Sequence, residues 1–173
     1  MTNADERERI SGWFAGRVPQ EWQAAPPEVV VDREEITVRL SVPDVDLGAD
    51  ASDVARAEAR AGRAAAFRED TREARMEIAR EAEHRFGAKV SWGLQIGDHV
   101  ELWTHVAAPV MTRLRQPERL VLDTLVDTGV ARSRADALAW CVRLVGQHED
   151  DWLAELREAM QSVDEVRRRG PAA

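Results

Sequence analysis

Pro109-Val110-Met111-Thr112-Arg113-Leu114-Arg115-Gln116-Pro117 opens a run that continues as ERLVLDTLVDTGVARSRADALAWCVRLVGQH from Glu118 to His148. Residues 110–114 alternate and suit a short strand. Gln116-Pro117 ends it, and Pro117 fits the first position of a helix, where the missing N–H has no intrahelical partner to lose. Leu120, Val121, Leu122, Leu125 and Val126 then form an apolar stripe, and Gly129 stands where a left-handed cap would close the helix. A second helix starts at Arg132-Ser133-Arg134, with the Ser133 hydroxyl placed to accept from a free first-turn N–H. Its apolar residues Ala135, Ala137, Leu138, Trp140, Cys141, Val142, Leu144 and Val145 cover most of the circumference, leaving Asp136, Arg143 and Gln147 as a narrow polar strip. Such a helix is expected to be buried on several sides.

About forty residues rarely bury enough surface to fold alone, so this unit calls for a partner, either the rest of the chain or a second copy. Arg113-Leu114, Leu122-Asp123, Leu125-Val126, Gly129, Arg132-Ser133-Arg134, Ala137-Leu138 and Arg143 give residues 109–145 a pattern that resembles the ribbon-helix-helix superfamily. The resemblance implies a homodimer in which two strands pair into a ribbon and four helices intertwine. It places Val110, Thr112 and Leu114 inward, with Leu138, Cys141, Val142 and Val145 in the dimer interface. It turns Pro109, Met111 and Arg113 toward the DNA major groove. The start of the second helix, Ser133 with Arg132 and Arg134, would meet a phosphate, with Arg115 as a further contact. One departure stands out: only Arg113 can make a bidentate contact to guanine, since Pro109 and Met111 offer no such hydrogen-bond pairing. A helical hairpin that caps a core is the competing structural reading. For Ser133 and its arginines, it is an ordinary N-cap with solvated side chains.

Working outward, the chain of 173 residues has room for one domain or two small ones, and 44% apolar with 32% charged residues describes a folded, water-soluble protein. The net charge of −8 argues against a protein built mainly on nucleic acid. The acidity lies outside residues 109–148, however, where Arg113, Arg115, Arg119, Arg132, Arg134 and Arg143 outnumber Glu118, Asp123, Asp127 and Asp136. Lys89 is the only lysine, and arginine with abundant alanine suits a GC-rich, bacterial-like genome. The lone Cys141 excludes a disulfide framework and suits a reducing cytoplasm. The first residues lack the basic and apolar regions of a signal peptide, and no apolar run approaches the roughly 18 residues of a membrane span.

Three domains are expected: an aromatic-rich arm over residues 1–24, a small α+β domain over 25–106, and the ribbon-helix-helix-like domain with a closing strap helix over 107–173. In the arm, a short helix over residues 5–15 carries Ile10, Trp13 and Phe14, followed by Val18 and Trp22. Packing on its own domain is one reading; a surface of Trp13, Phe14 and Trp22 that docks a protein partner is the other. Residues 28–31 and 36–42 read as one hairpin, with Ile36, Val38, Leu40 and Val42 on a single face. Residues 43–53 read as a mobile acidic loop. A single long helix is expected over residues 54–86, with Gly62 as its weak point, Phe67, Ala74, Ile78, Ala82 and Phe86 inward, and Gly87 as its cap. Residues 90–96 and 99–105 read as a second hairpin about Gly97-Asp98. The fold class is therefore α+β: a layer of two β-hairpins with one long helix, then the dimerisation unit and a final amphipathic helix. That helix begins at Asp150-Asp151, lines one face with Trp152, Leu153, Leu156, Ala159, Met160, Val163 and Val166, and ends in Arg167-Arg168-Arg169 before Gly170-Pro171.

Phosphate loops, nucleophile elbows and zinc-protease signatures are absent from the sequence. His84, His99, His105 and His148 are scattered, and His148-Glu149-Asp150-Asp151 reads as helix-junction capping rather than a metal site. No cofactor, metal or catalytic residue is expected. The leading expectation is a cytoplasmic, dimeric DNA-binding regulator; the alternative is an interaction or assembly protein that keeps the dimer unit without reading DNA.

Overall fold

Alternating Ile36, Val38 and Leu40 need a buried face, and the computed structural model, which describes residues 4–169, supplies it within an α+β fold. The chain divides into two units, Met1–Pro109 and Val110–Ala173. In the first, β1 (Ala25–Val31), β2 (Glu35–Ser41), β3 (Lys89–Ile96) and β4 (His99–Leu102) form one sheet in the order β1-β2-β3-β4. The outer pairs are antiparallel hairpins and β2 runs parallel to β3. A parallel pair needs a long crossover, provided here by α2 (Asp53–Asp70) and α3 (Arg72–Phe86). The register sets Ile36, Val38 and Leu40 beside Val90, Trp92 and Leu94, so two strands contribute one continuous apolar face. Ile10, Phe14, Val18, Ala64, Ile78 and Ala82 pack onto it.

Helix α1 (Ala4–Arg17) corrects the reading of an arm. Ile10, Phe14 and Val18 are buried in the core, while Trp13 and Trp22 are partly buried against it. Trp13 meets Phe14 and Phe86 edge-on, and Trp22 meets Phe67. Spacing of i, i+4 and i+8 puts Ile10, Phe14 and Val18 on one face, which the core needs and a partner cannot reach. Arg17 clamps this helix to α3 through a forked pair to Glu81 at 2.7 and 2.6 Å. Residues 1–3 of the expected arm lie outside the described residues.

The expected long helix is two, interrupted at Thr71 rather than at Gly62. The Thr71 hydroxyl donates to the Phe67 carbonyl at 2.6 Å, a back-bond that competes with the backbone ladder. Arg75 then donates to Thr71 Oγ1 and to the Arg68 carbonyl, helping to cap the end of α2. The buried face of α3 accordingly runs through Arg75, Ile78, Ala79 and Ala82, and Ala74 is exposed. Gly87 caps α3 as expected, at φ 74°.

The acidic loop is tied to its surroundings through two arginines of α2. Arg60 forks onto Asp44 at 2.8 and 2.6 Å and also pairs with Asp98 in the β3–β4 turn, while Arg56 donates to the Gly48 and Ala49 carbonyls. Strand β4 is shorter than expected. The ladder continues with Trp103 N–H donating to Trp92 O at 2.8 Å, after which the Thr104 hydroxyl accepts from Trp92 N–H.

In the second unit, α4 (Gln116–Asp127) and α5 (Arg134–His148) form a hairpin turned at Gly129, whose φ is 76°. The Gly129 N–H donates to Val126 O and the Ala131 N–H to Leu125 O. Leu122, Ala131 and Ala137 are buried, with Leu114, Leu125, Val126, Leu138 and Cys141 packed around them. Two expectations are corrected. Residues 110–114 are not a strand within one chain, because among the described residues their N–H and C=O groups face no other strand. Helix α5 is not enclosed either, since Val142 is 66% and Val145 47% exposed. The final helix, α6 (Asp150–Arg169), is no strap: Trp152, Leu156, Met160 and Val163 are all exposed. The expected places of the Val166, Arg167 and Arg168 side chains and of Gly170-Pro171 lie outside the described residues.

Candidate nucleic-acid interface

The proposed base-reading segment is held at one end only. Leu114 sits on the Leu122–Ala131–Ala137 cluster, and Arg119 donates to the Leu114 carbonyl at 2.8 Å. Before it, Val110 and Met111 are 86% and 97% exposed, and Thr112 and Arg113 are also exposed. Arg115, the N-cap residue of α4, is extended at φ −79° and ψ 173°. Neither Arg113 nor Arg115 forms an ion pair among the described residues, so both guanidinium groups are available to an anion.

At the start of α5, Ser133 accepts from Asp136 N–H at 3.2 Å, the expected cap. Asp136 is in turn held below the usual carboxylate range, first by the backbone N–H of Arg132 that donates to it at 3.0 Å. The helix end thus carries a carboxylate of its own, which weakens it as a phosphate site. Arg134 forks onto Asp123 at 2.6 and 2.7 Å; this bond raises its own pKa and lowers that of Asp123. The Arg132 side chain, 95% exposed, remains solvated 3.7 Å from Asp136. The geometry therefore brings Arg113 and Arg115 to the surface as open cations, leaves Arg132 exposed but beside the Asp136 carboxylate, and ties Arg134 down.

The expected pairing residues divide in two. Leu114, Leu138 and Cys141 pack inward on their own cluster, whereas Val110, Thr112, Val142 and Val145 remain outside it. Among the described residues, no group of three metal-capable side chains converges, and no helix is long and apolar enough to cross a membrane.

Sequence reasoning missed the Arg75 site in the first unit. Its guanidinium lies 4.3 Å from the Trp103 ring centroid, and burial pushes its pKa down to about 10, leaving it charged near neutrality. The signal was its spacing from Thr71 and Ile78, which puts it on the inner face.

The family described as Rv1265-like protein, N-terminal domain, matches residues 8–102, and the family described as Mb1296 C-terminal domain matches residues 115–167. The gap between these matches brackets the division at Pro109. The uncharacterized protein Rv1265 of Mycobacterium tuberculosis strain H37Rv is 57% identical over 159 residues, covering 92% of this chain and 69% of its own length. The uncharacterized protein Mb1296 of Mycobacterium bovis has the same identity and coverage. No solved structure matches the chain.

Proposed function

The chain belongs to the Rv1265-like protein family, and from its second unit we propose that it is a cytoplasmic, homodimeric DNA-binding regulator of ribbon-helix-helix type. The observation that carries this reading is the incomplete core of that unit. Leu122, Ala131 and Ala137 are buried while Val110, Val142 and Val145 face outward. A second copy covers these side chains, each fully buried valine contributing about 1.5–3 kcal/mol, and gives residues 110–114 the strand partner they lack. Phosphate contacts by Arg115 and Arg132 supply most of the affinity, and sequence selectivity is weak because Arg113 alone reads bases.

A symmetric antiparallel ribbon over residues 110–114 puts Thr112 opposite itself. In a Cys141→Ala background, Thr112→Cys is expected to form a disulfide-linked dimer under mild oxidation, and Val142→Glu is expected to suppress it. Anisotropy of labelled duplex DNA at about 50 and about 200 mM salt should show affinity falling steeply, with the log–log slope reduced by about 0.9 for each phosphate that Arg115→Ala or Arg132→Ala leaves unneutralised. Binding that ignores all three arginines overturns the assignment of the DNA surface.

An assembly protein that pairs without DNA is the second reading, favoured by the Arg134–Asp123 fork and the Asp136 carboxylate at the helix start. The Thr112→Cys cross-link without duplex binding at the lower salt selects it.

A further inference from the structure

Between α1 and α3 the first unit holds an open notch of about 550 Å³, lined by Trp13, Arg80, Glu81, His84 and Arg85. That volume falls within the range of small-ligand sites. Trp13 is half-buried, and edge-on contacts to Phe14 and Phe86, with ring centroids 4.8 and 5.6 Å away, hold its indole in place as an apolar wall. Arg80, His84 and Arg85 are exposed. The Arg85 guanidinium lies 5.6 Å from the Phe86 ring centroid, beside the same aromatic cluster.

The carboxylates of α3 beside the notch are engaged elsewhere. Glu81 is four residues from Arg85, and Glu77 and Glu83 are each three from Arg80, spacings at which opposite charges on a helix pair. Yet both Glu81 oxygens receive the Arg17 fork, at 2.7 and 2.6 Å, and Glu83 receives Lys89 at 2.8 Å. The Arg17 pKa is raised, first by its bond to Glu81 and more weakly by the Glu77 charge. Arg17, Arg80, Arg85 and Lys89 thus outnumber Glu77, Glu81 and Glu83 here, and among the described residues Arg80 and Arg85 form no ion pair. The notch therefore offers an apolar wall and two unneutralised guanidinium groups.

We propose that this notch binds a small aromatic anion, its flat ring laid on Trp13 and its carboxylate or phosphate held by Arg80 and Arg85, with the His84 imidazole adding a hydrogen bond. Guanidinium groups hold carboxylate and phosphate oxygens through charge-assisted hydrogen bonds, and a ring on the indole removes apolar surface of both partners from water. Both parts are required, because an exposed cation facing a small anion is screened by water and salt. The site lies wholly within the first unit, so it stands whether or not the second unit pairs or binds DNA.

Calorimetric titration of the full-length chain tests this with naphthoate and naphthyl phosphate, which share the ring and differ in the anionic head. Either is expected to saturate one site per chain, and the tighter of the two identifies the head that the arginines hold. Arg80→Ala combined with Arg85→Ala should weaken binding roughly tenfold or more while the melting temperature is kept, both side chains being exposed. Trp13→Leu should weaken it as well. Naphthalenemethanol, which lacks the charge, and decahydronaphthoate, which lacks the aromatic ring, should each bind well below naphthoate, and the second comparison carries the role of Trp13 even if Trp13→Leu does not fold. No saturation by either probe below about 1 mM overturns the site. Binding untouched by the paired arginine substitutions puts the ligand elsewhere and overturns it too. Equal affinity for the neutral or the saturated analogue overturns the pairing of ring with anion on which the assignment rests.

Discussion

Arg60 shows how one side chain can organise its surroundings. It ties the acidic loop, through Asp44, and the β3–β4 turn, through Asp98, to α2. The hydrogen bond from Arg60 is the main reason the Asp44 carboxyl is held down to about 2. A carboxylate with a depressed folded pKa stabilises above its unfolded value, near 3.9, and loses that contribution as the pH falls through the folded one. Asp44→Asn is therefore expected to melt below wild type at neutral pH, with the gap closing as the pH approaches 2; an equal gap throughout would refute the coupling. Gly97 belongs to the same site. Its φ is +57°, and a Cβ there would stand 2.8 Å from Arg60 Nη2 and 2.9 Å from Asp44 Oδ2. Gly97→Ala should lower the melting temperature, the left-handed backbone alone costing roughly 1–2 kcal/mol.

Among the elements, α1 is the one whose role changes most between sequence and fold. Phe14 is fully buried and meets Trp92 edge-on, so Phe14→Ala should cost about 3–5 kcal/mol, measured by denaturant unfolding, as expected for an aromatic removed from a core. Deleting residues 1–25 should abolish the cooperative transition of the first unit, since Ile10 and Val18 leave with Phe14. A truncated protein that still melts sharply at the wild-type temperature would restore the arm as a separate element. Helix α5 invites the opposite comparison. Leu138 packs on the cluster of its own chain, so Leu138→Glu should unfold the second unit, whereas Val142 is exposed and Val142→Glu should leave the unit folded.

For the molecule as a whole, the two units differ in how far they complete themselves. Among the described residues, the first closes a core of fifteen buried side chains from two hairpins and three helices. The second buries three and displays apolar side chains on α4, α5 and α6, including Leu120, Val121, Val142, Val145, Trp152 and Leu156. Apolar surface of that extent on one small unit is the mark of an interaction site. The first unit exposes apolar side chains too, Val30, Val100 and Leu102 on its outer strands among them, but it does so around a closed core, which the second unit lacks.

What the sequence by itself determined was local. Alternation announced β2, Gly87 and Gly129 announced the ends of α3 and α4, and Ser133 announced the start of α5, because caps and pleats depend on a few neighbouring residues. What only the tertiary structure decided was which apolar or charged side chain found a partner far along the chain. Phe14 can be read as core or as a docking surface until Trp92 is beside it, and no local window announces that Trp103 covers Arg75. Arg134 reads as a phosphate ligand until Asp123 takes its fork, and residues 110–114 read as a strand although no described strand of one chain lies beside them. Burial and pairing are properties of two surfaces, and a sequence window contains only one of them.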